Sequence, residues 1–427
     1  QWHDRLASKY PLIGNLVKTK ASKPNKKKKP SLEAPMDWRV AIVGGGISGL
    51  ATALALSEYG YKVTVFEKNL SLGGHACTKP VGAHMRQPAF GMFMAKQWPN
   101  ALSLMDKVGI KPIVECPADQ AIRHFSKDGH TIAQESIEKD ITRFYYDMTR
   151  MINDPEADGV TIGNFFKEQE YSHEFICYYF VGKVIHYFAG QSLDYYLSYP
   201  LRLIAWMYLG MTANENDDVM RVDNQEYMNA IKAMLQSRRV QVVNNTNVSF
   251  ITRDQNQAIL GFNGGKESFG HVVLAVQPHH ALKILGPCAT KEEENILSQF
   301  EYTVDTAVLH FDDSWVPENK KEWGLLNFLL PDKGQSLPEP SETIPITTPF
   351  VSDTDGRTPI FCTYNYANAE DWEGDGPHWK YTFEHTKVTP ATQLLRRELK
   401  MLQGKQRVQY CGSWSRGLTL HEDAVVT

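Results

Sequence analysis

The chain has 427 residues, 42% of them hydrophobic and 22% charged, with a formal net charge of −4. The length is too great for one small core, and the apolar share excludes disorder over the whole chain. The near-neutral balance gives no global field for a nucleic-acid partner.

The chain begins with Gln1 rather than Met, as expected of a processed, trimmed or partial polypeptide. Residues 1–35 stand apart as a basic arm. Lys18, Lys20, Lys23, Lys26, Lys27, Lys28 and Lys29 crowd a stretch that also holds Pro24 and Pro30. Such a stretch reads as a solvated arm; the sharper reading is peripheral contact with anionic lipid or an acidic partner protein through Lys18–Lys29. Arg39–Val43 is a short β-branched run that predicts a strand, and it ends in Gly44-Gly45-Gly46. The apolar periodicity of residues 47–59 predicts a helix, and Lys62–Phe66 predicts a second strand. Together they form a β-α-β unit with the right-handed crossover of a parallel sheet.

Residues 141–211 are rich in aromatics and helix formers and predict a helical insertion. A helix is expected at 227–236, a strand at 240–243, and a hairpin-like pair at Val248–Arg253 and Ala258–Phe262. Residues 271–276 are an apolar strand expected to return to the first sheet. Residues 303–311 and 358–366 predict a second, mostly antiparallel sheet, and the polar, Pro-rich stretch 331–349 between them a surface loop. A helix at Pro390–Leu402 and a strand at 408–411 close the chain. No run of about 20 apolar residues occurs, so no spanning helix is expected. Six scattered cysteines form no Cys-x-x-Cys pair, so no metal site is expected and a reducing intracellular compartment or organelle is favoured. The sequons Asn244-Asn245-Thr246 and Asn247-Val248-Ser249 are expected in a buried strand, where they would be chance occurrences.

Gly44-x-Gly46-x-x-Gly49 follows a strand and opens a helix. Gly44 permits the tight turn, Gly46 lets backbone approach a pyrophosphate, and Gly49 lets helix and strand pack closely. Glu67, 18 residues after Gly49, ends the second strand, where a carboxylate accepts bonds from the adenosine ribose. These features in β-α-β context predict a dinucleotide site. The pair Gly73-Gly74, just past Glu67, is the habit of flavoproteins and points to FAD rather than NAD.

At this point the chain resembles a known family. Val43-Gly44-Gly45-Gly46-Ile47-Ser48-Gly49-Leu50, Glu67-Lys68 and Leu72-Gly73-Gly74-His75 look like the flavin-containing amine oxidoreductase superfamily. The nearer likeness is to predicted NAD/FAD-binding oxidoreductases associated with cyclopropane-fatty-acid synthases, carried by Leu402-Gln403-Gly404, Cys411-Gly412-Ser413-Trp414 and His421-Glu422-Asp423. The resemblance implies that Gly44, Gly46, Ser48 and Gly49 face the pyrophosphate and Glu67 the ribose, with Lys68, Gly74 and His75 beside them. It implies that Val248 meets the adenine, that Gly412 and Ser413 lie near the ribityl chain, and that Glu422, Asp423 and Ala424 open the final helix beneath the flavin. The chain departs from the family pattern at Arg86–Phe90, at Asp223-Asn224-Gln225, at Leu418-Thr419-Leu420 and at Ala424. These departures fall on the ring side.

The expected fold is α/β, a Rossmann-like FAD-binding domain with a parallel sheet (36–95, 222–290 and 405–427). It interleaves with an α+β substrate domain of mixed or antiparallel sheet plus the helical insertion (96–221 and 291–404). The expected function is FAD-dependent oxidation, desaturation or double-bond isomerisation of a hydrophobic small molecule such as a fatty acyl chain, by hydride transfer to flavin. The aromatic stretch 175–211 reads as a substrate-cavity wall or as helical core, with an amphipathic patch resting on a membrane as the lesser option. His421 is the candidate for proton transfer, and Lys183, His186 and Tyr364 are candidate polar groups of the cavity. Two other readings stand beside this one: a catalytically altered flavoprotein-fold subunit with a structural role in a larger complex, and a dehydrogenase that uses NAD alone.

Overall fold

The computed structural model describes residues 35–81, 85–88, 92–94, 98–117, 121–129, 134–185, 192–212, 218–332, 335–339, 345–350, 359–364 and 379–427. The Lys18–Lys29 arm and His186 lie outside the described residues, as does the Lys183 side chain.

The first sheet has five strands: β1 Arg39–Val43, β2 Lys62–Phe66, β3 Gln241–Val243, β4 His271–Leu274 and β5 Val408–Tyr410. Their order is β5-β4-β1-β2-β3, every pair parallel. Val40, Ile42, Val63, Val65 and Val273 are buried, as befits strands covered on both faces. Helix α1, Ile47–Glu58, crosses from β1 to β2 and is buried from Ile47 to Leu56. Fully sequestering Leu50, Leu54 and Leu56 contributes roughly 1.5–3 kcal/mol each. Helix α2, Asn224–Ser237, starts three residues earlier than its periodicity predicts, because the Asp223 carboxylate accepts from Glu226 N at 2.8 Å and caps it. The final helix, α3, is His421–Val426.

Val248–Arg253 and Ala258–Phe262 pair antiparallel as expected, and Gly265–Phe269 adds a third strand that the pattern did not signal. Arg253 and Glu293 form a buried ion pair beneath this sheet, and Tyr410 Oη donates to Glu293 Oε1 at 2.5 Å. The two sequons do not lie within a buried strand. The first lies in the turn after β3 and the second starts there and runs into the strand at Val248; Asn245 and Asn247 are exposed, and Asn245 takes φ +52°.

The second sheet has six strands, in the order Trp379–Thr386, Tyr302–His310, Ile360–Tyr364, Ile346–Phe350, Leu326–Leu329, Ile122–Phe125. Only the last pair is parallel. The expected loop at 331–349 is therefore overturned at its end, for Ile346–Phe350 is an interior strand. Its polar residues misled the reading. Thr347 and Thr348 are buried, and Thr347 Oγ1 meets Thr363 Oγ1 at 2.7 Å, with His310 Nε2 also 2.7 Å from Thr363 Oγ1. Mutual bonding lets the Thr347 and Thr363 hydroxyls enter a core, whereas the buried Thr348 hydroxyl has no hydrogen-bond partner among the described residues.

The insertion is helical, with Gln134–Met151, Ile162–Glu168, Phe175–Val184, Leu193–Leu197 and Leu201–Thr212. Its centre is aromatic: the Phe144 ring lies 4.7 Å from Tyr208 and 5.4 Å from Phe175, centroid to centroid. Among the described residues no helix is long and apolar enough to cross a membrane.

Candidate functional site

A cavity of about 570 Å³ lies where the two sheets meet the insertion. Its floor is the carboxyl ends of the parallel strands. β1 delivers Gly44, β2 delivers Glu67, β4 delivers Ala275, Val276 and Gln277, and β5 delivers Gly412 and Ser413. A crevice at this edge is where open parallel sheets bind ligands.

The glycine turn is built by its own backbone. Gly44 takes φ +112°, and a Cβ there would collide with the Ala275 carbonyl oxygen. Gly49 faces away from the cavity and packs on β1, where a Cβ would strike the Gly44 carbonyl. Gly46 is different, since nothing lies within 4 Å of the position a Cβ would take, and it lines the cavity with Ile47 and Ser48. The first amides of α1 thus open onto the space with the positive end of the helix dipole behind them. The second glycine pair belongs to the same cradle, for Gly73 N donates to Gly45 O at 2.8 Å. The Glu67 carboxylate, also at the cavity, accepts from Gly45 N at 2.7 Å and Asn69 N at 2.8 Å.

Gly44, Gly46, Ser48, Glu67, Lys68, Gly74, His75, Gly412, Ser413, His421 and Ala424 are brought together around this one space, as is Tyr364. Gly49, Val248, Glu422 and Asp423 are not at its surface. Val248 is buried at the start of the three-stranded sheet. The Glu422 carboxylate turns outward to accept from Asn100 N and Ala101 N, capping the helix Pro99–Lys107. Asp423 accepts from Leu418 N at 3.0 Å and Leu420 N at 3.1 Å, so it shapes the start of α3.

His421 lies parallel to Trp98 at 6.2 Å, with Nε2 3.4 Å from Tyr227 Oη. Burial pushes its imidazole down to about 4, so it does not titrate near neutrality as a free imidazole would.

Tyr195, Tyr199, Leu326, Tyr364, Tyr381 and His385 also line the cavity. From the aromatic stretch 175–211 only Tyr195 and Tyr199 reach it among the described residues; Phe175, Phe180, Val181 and Ile204 are core. The sequence reading missed a histidine pair with a carboxylate behind it. His385 Nδ1 contacts the buried Asp305 carboxylate, and the His75 ring stands edge-on to His385 at 4.9 Å. His75 opens onto the cavity but is surrounded by protein, and burial followed by the His385 charge pushes its imidazole down to about 3. A signal was present, since Asp305 alternates with the buried Ala307 and Leu309 on one strand face.

Residues 42–108 match the NAD(P)-binding Rossmann-like domain family. Protoporphyrinogen oxidase 2 of Arabidopsis thaliana is 35% identical over 99 residues, 23% of this chain and 19% of that one. The match thus spans less than a fifth of that relative's length. Among solved structures, putrescine oxidase bound to putrescine superposes with a TM-score of 0.66 at 15% identity, covering 91% of this chain and 96% of that one. A CLA-producing fatty acid isomerase from P. acnes gives 0.61 at 16% identity, over 92% and 97%. The chain therefore has the fold of these oxidase and isomerase structures, and its amino-terminal β-α-β unit lies within the match to the NAD(P)-binding Rossmann-like domain family.

Proposed function

We propose that the chain is an FAD-dependent oxidoreductase acting on a hydrophobic small molecule such as a fatty acyl chain or an amine. The observation that carries this reading is one cavity lined both by a glycine cradle with Glu67 and by aromatic side chains with His75 and His385. The residues present fit the cofactor. Gly44, Gly46 and Ser48 would hold the pyrophosphate, Glu67 the ribose, and the start of α3 the ring edge that gains negative charge.

Bound flavin supplies hydride acceptance. The chain's own residues do the rest. Tyr195, Tyr199, Leu326 and Tyr381 exclude water and orient an apolar substrate. His385, with Nδ1 held by Asp305, keeps Nε2 as the nitrogen that takes or gives a proton. Neutral His421 orders the pocket as a hydrogen-bonding group.

The test is the absorbance spectrum of the purified protein, mass analysis of the extracted cofactor, and anaerobic mixing with amines and polyunsaturated fatty acids. Flavin bands, released FAD and substrate-dependent bleaching or double-bond migration support the reading. A colourless protein, or a bound nicotinamide without flavin, ends it.

A second reading has its own observation. Thr419, a β-branched residue at the cavity, takes φ +64°, beside Leu418 and Leu420, in the segment where the family resemblance implies a glycine and an aromatic. That loop suits a flavoprotein-fold subunit whose chemistry is altered and whose role is structural. A flavin that stays oxidised with every substrate, in a protein isolated within a large assembly, favours it.

A further inference from the structure

We propose that His279, His280 and Glu384 form a binding site for a divalent transition ion of the zinc class at the rim of the cavity.

Two elements meet there. The helix Pro278–Leu285 presents the two histidines in its first turn, and the strand Trp379–Thr386 presents Glu384. Gln277 clamps one to the other. Its Nε2 donates to Glu384 O at 3.3 Å, and its Oε1 accepts from Thr386 Oγ1 at 2.9 Å. Tyr302 holds the first histidine, since its hydroxyl accepts from His279 N at 3.1 Å and its ring meets the imidazole edge-on at 4.3 Å. The site is thus braced before any ion arrives.

The ligand atoms converge. His279 Nε2 lies 3.3 Å and His280 Nε2 3.8 Å from Glu384 Oε2, and all three ligand atoms fall within 4.8 Å of one another. Bonds of about 2.1 Å in tetrahedral array place ligand atoms about 3.4 Å apart, so small torsional changes suffice. Two imidazoles and one carboxylate leave a fourth position for water. Nitrogen donors select against magnesium and calcium. A simple ion pair would need only one of the two histidines, whereas both turn toward the same oxygen.

His280 and Glu384 line the same cavity as the glycine cradle, and the test of ion binding does not depend on flavin. Chelator-treated protein, with and without FAD, is titrated with zinc chloride by calorimetry, and cobalt(II) is followed by its visible bands. The expected result is saturable binding of one ion per chain, at least tenfold weaker in His280→Ala and in Glu384→Gln, with magnesium inert. Glu384 is over a third exposed, so its isosteric amide tests the site even where the histidine variant folds poorly. Absence of saturable zinc binding by the wild type, or equal binding by Glu384→Gln, overturns the proposal.

Discussion

His385 and Asp305 are 80 residues apart in sequence, yet the imidazole Nδ1 rests on the carboxylate across two antiparallel strands. In the ladder Thr303 faces His385 and Asp305 faces Phe383, so the pair is diagonal. Asp305 is 4% exposed, so it serves the ring rather than solvent.

This pairing predicts a division of effects. His385→Gln should retain FAD but slow substrate-dependent flavin reduction by roughly 10²–10⁴-fold, the usual contribution of a positioned proton-transfer group. Asp305→Asn should slow it less and shift its pH profile. Stopped-flow reduction across pH, with a substrate that bleaches the wild type, checks both. Unchanged profiles would remove His385 from the chemistry.

The glycine turn predicts two different failures. Gly46→Val projects into open cavity, so it should abolish FAD retention while leaving the unfolding transition unchanged. Gly49→Ala drives a methyl into the Gly44 carbonyl and should cost about 1–3 kcal/mol of stability. Flavin absorbance after gel filtration and urea unfolding separate the two.

Glu67→Ala removes the acceptor for Gly45 N and Asn69 N as well as the ribose partner. The Gly45 amide, left unsatisfied at a buried residue, should cost about 1–3 kcal/mol, and the Asn69 amide, at an exposed one, less. FAD affinity should fall more steeply than stability. Fluorescence titration with FAD and urea unfolding give the two numbers.

Asp423 gives a pH dependence with a definite sign. Burial raises its carboxyl to about 6 from an ordinary 3.8, against the pull of the Leu420 amide and Arg396. The folded protein therefore holds this proton more tightly than the unfolded chain does. The associated stability is full below pH 3.8 and is lost as pH rises through 6. The loss is roughly 3 kcal/mol. Asp423→Asn should show no such loss, so its stability relative to wild type should rise between pH 4 and 7 in urea unfolding. A constant difference would refute the assignment.

Glu293 carries the opposite sign. Although burial alone would raise its carboxyl, Arg253, the Thr290 amide and Tyr410 outweigh it and hold it below the ordinary 4.5. Its stability is present above that value and lost as pH falls through the lowered one. Glu293→Gln strands a guanidinium only 1% exposed and should cost about 3–5 kcal/mol near neutrality. The same unfolding series, taken below pH 4.5, should show a shallower acid slope in the variant.

The β-α-β unit was legible because its signals are local. Gly44, Gly46 and Gly49 act within one turn, and Glu67 follows at the end of the next strand. The strand Ile346–Phe350 was not legible, because Thr347 and Thr348 are polar in composition and become core only when the strand pairs with Ile360–Tyr364, where Thr347 bonds Thr363. The aromatic stretch at 175–211 left two readings open, since apolar periodicity does not distinguish a core face from a cavity face. Packing around Phe144 resolved most of it as core and left Tyr195 and Tyr199 at the cavity.

The sequence by itself determined the nucleotide-binding end of this protein, because a turn that approaches phosphate needs glycines at fixed spacing within a few residues of chain. Only the tertiary structure decided the other end. Asp305 with His385, and His279 and His280 with Glu384, meet because strands and helices distant in sequence are hydrogen-bonded side by side. Such a juxtaposition depends on sheet register, which short-range pattern does not encode.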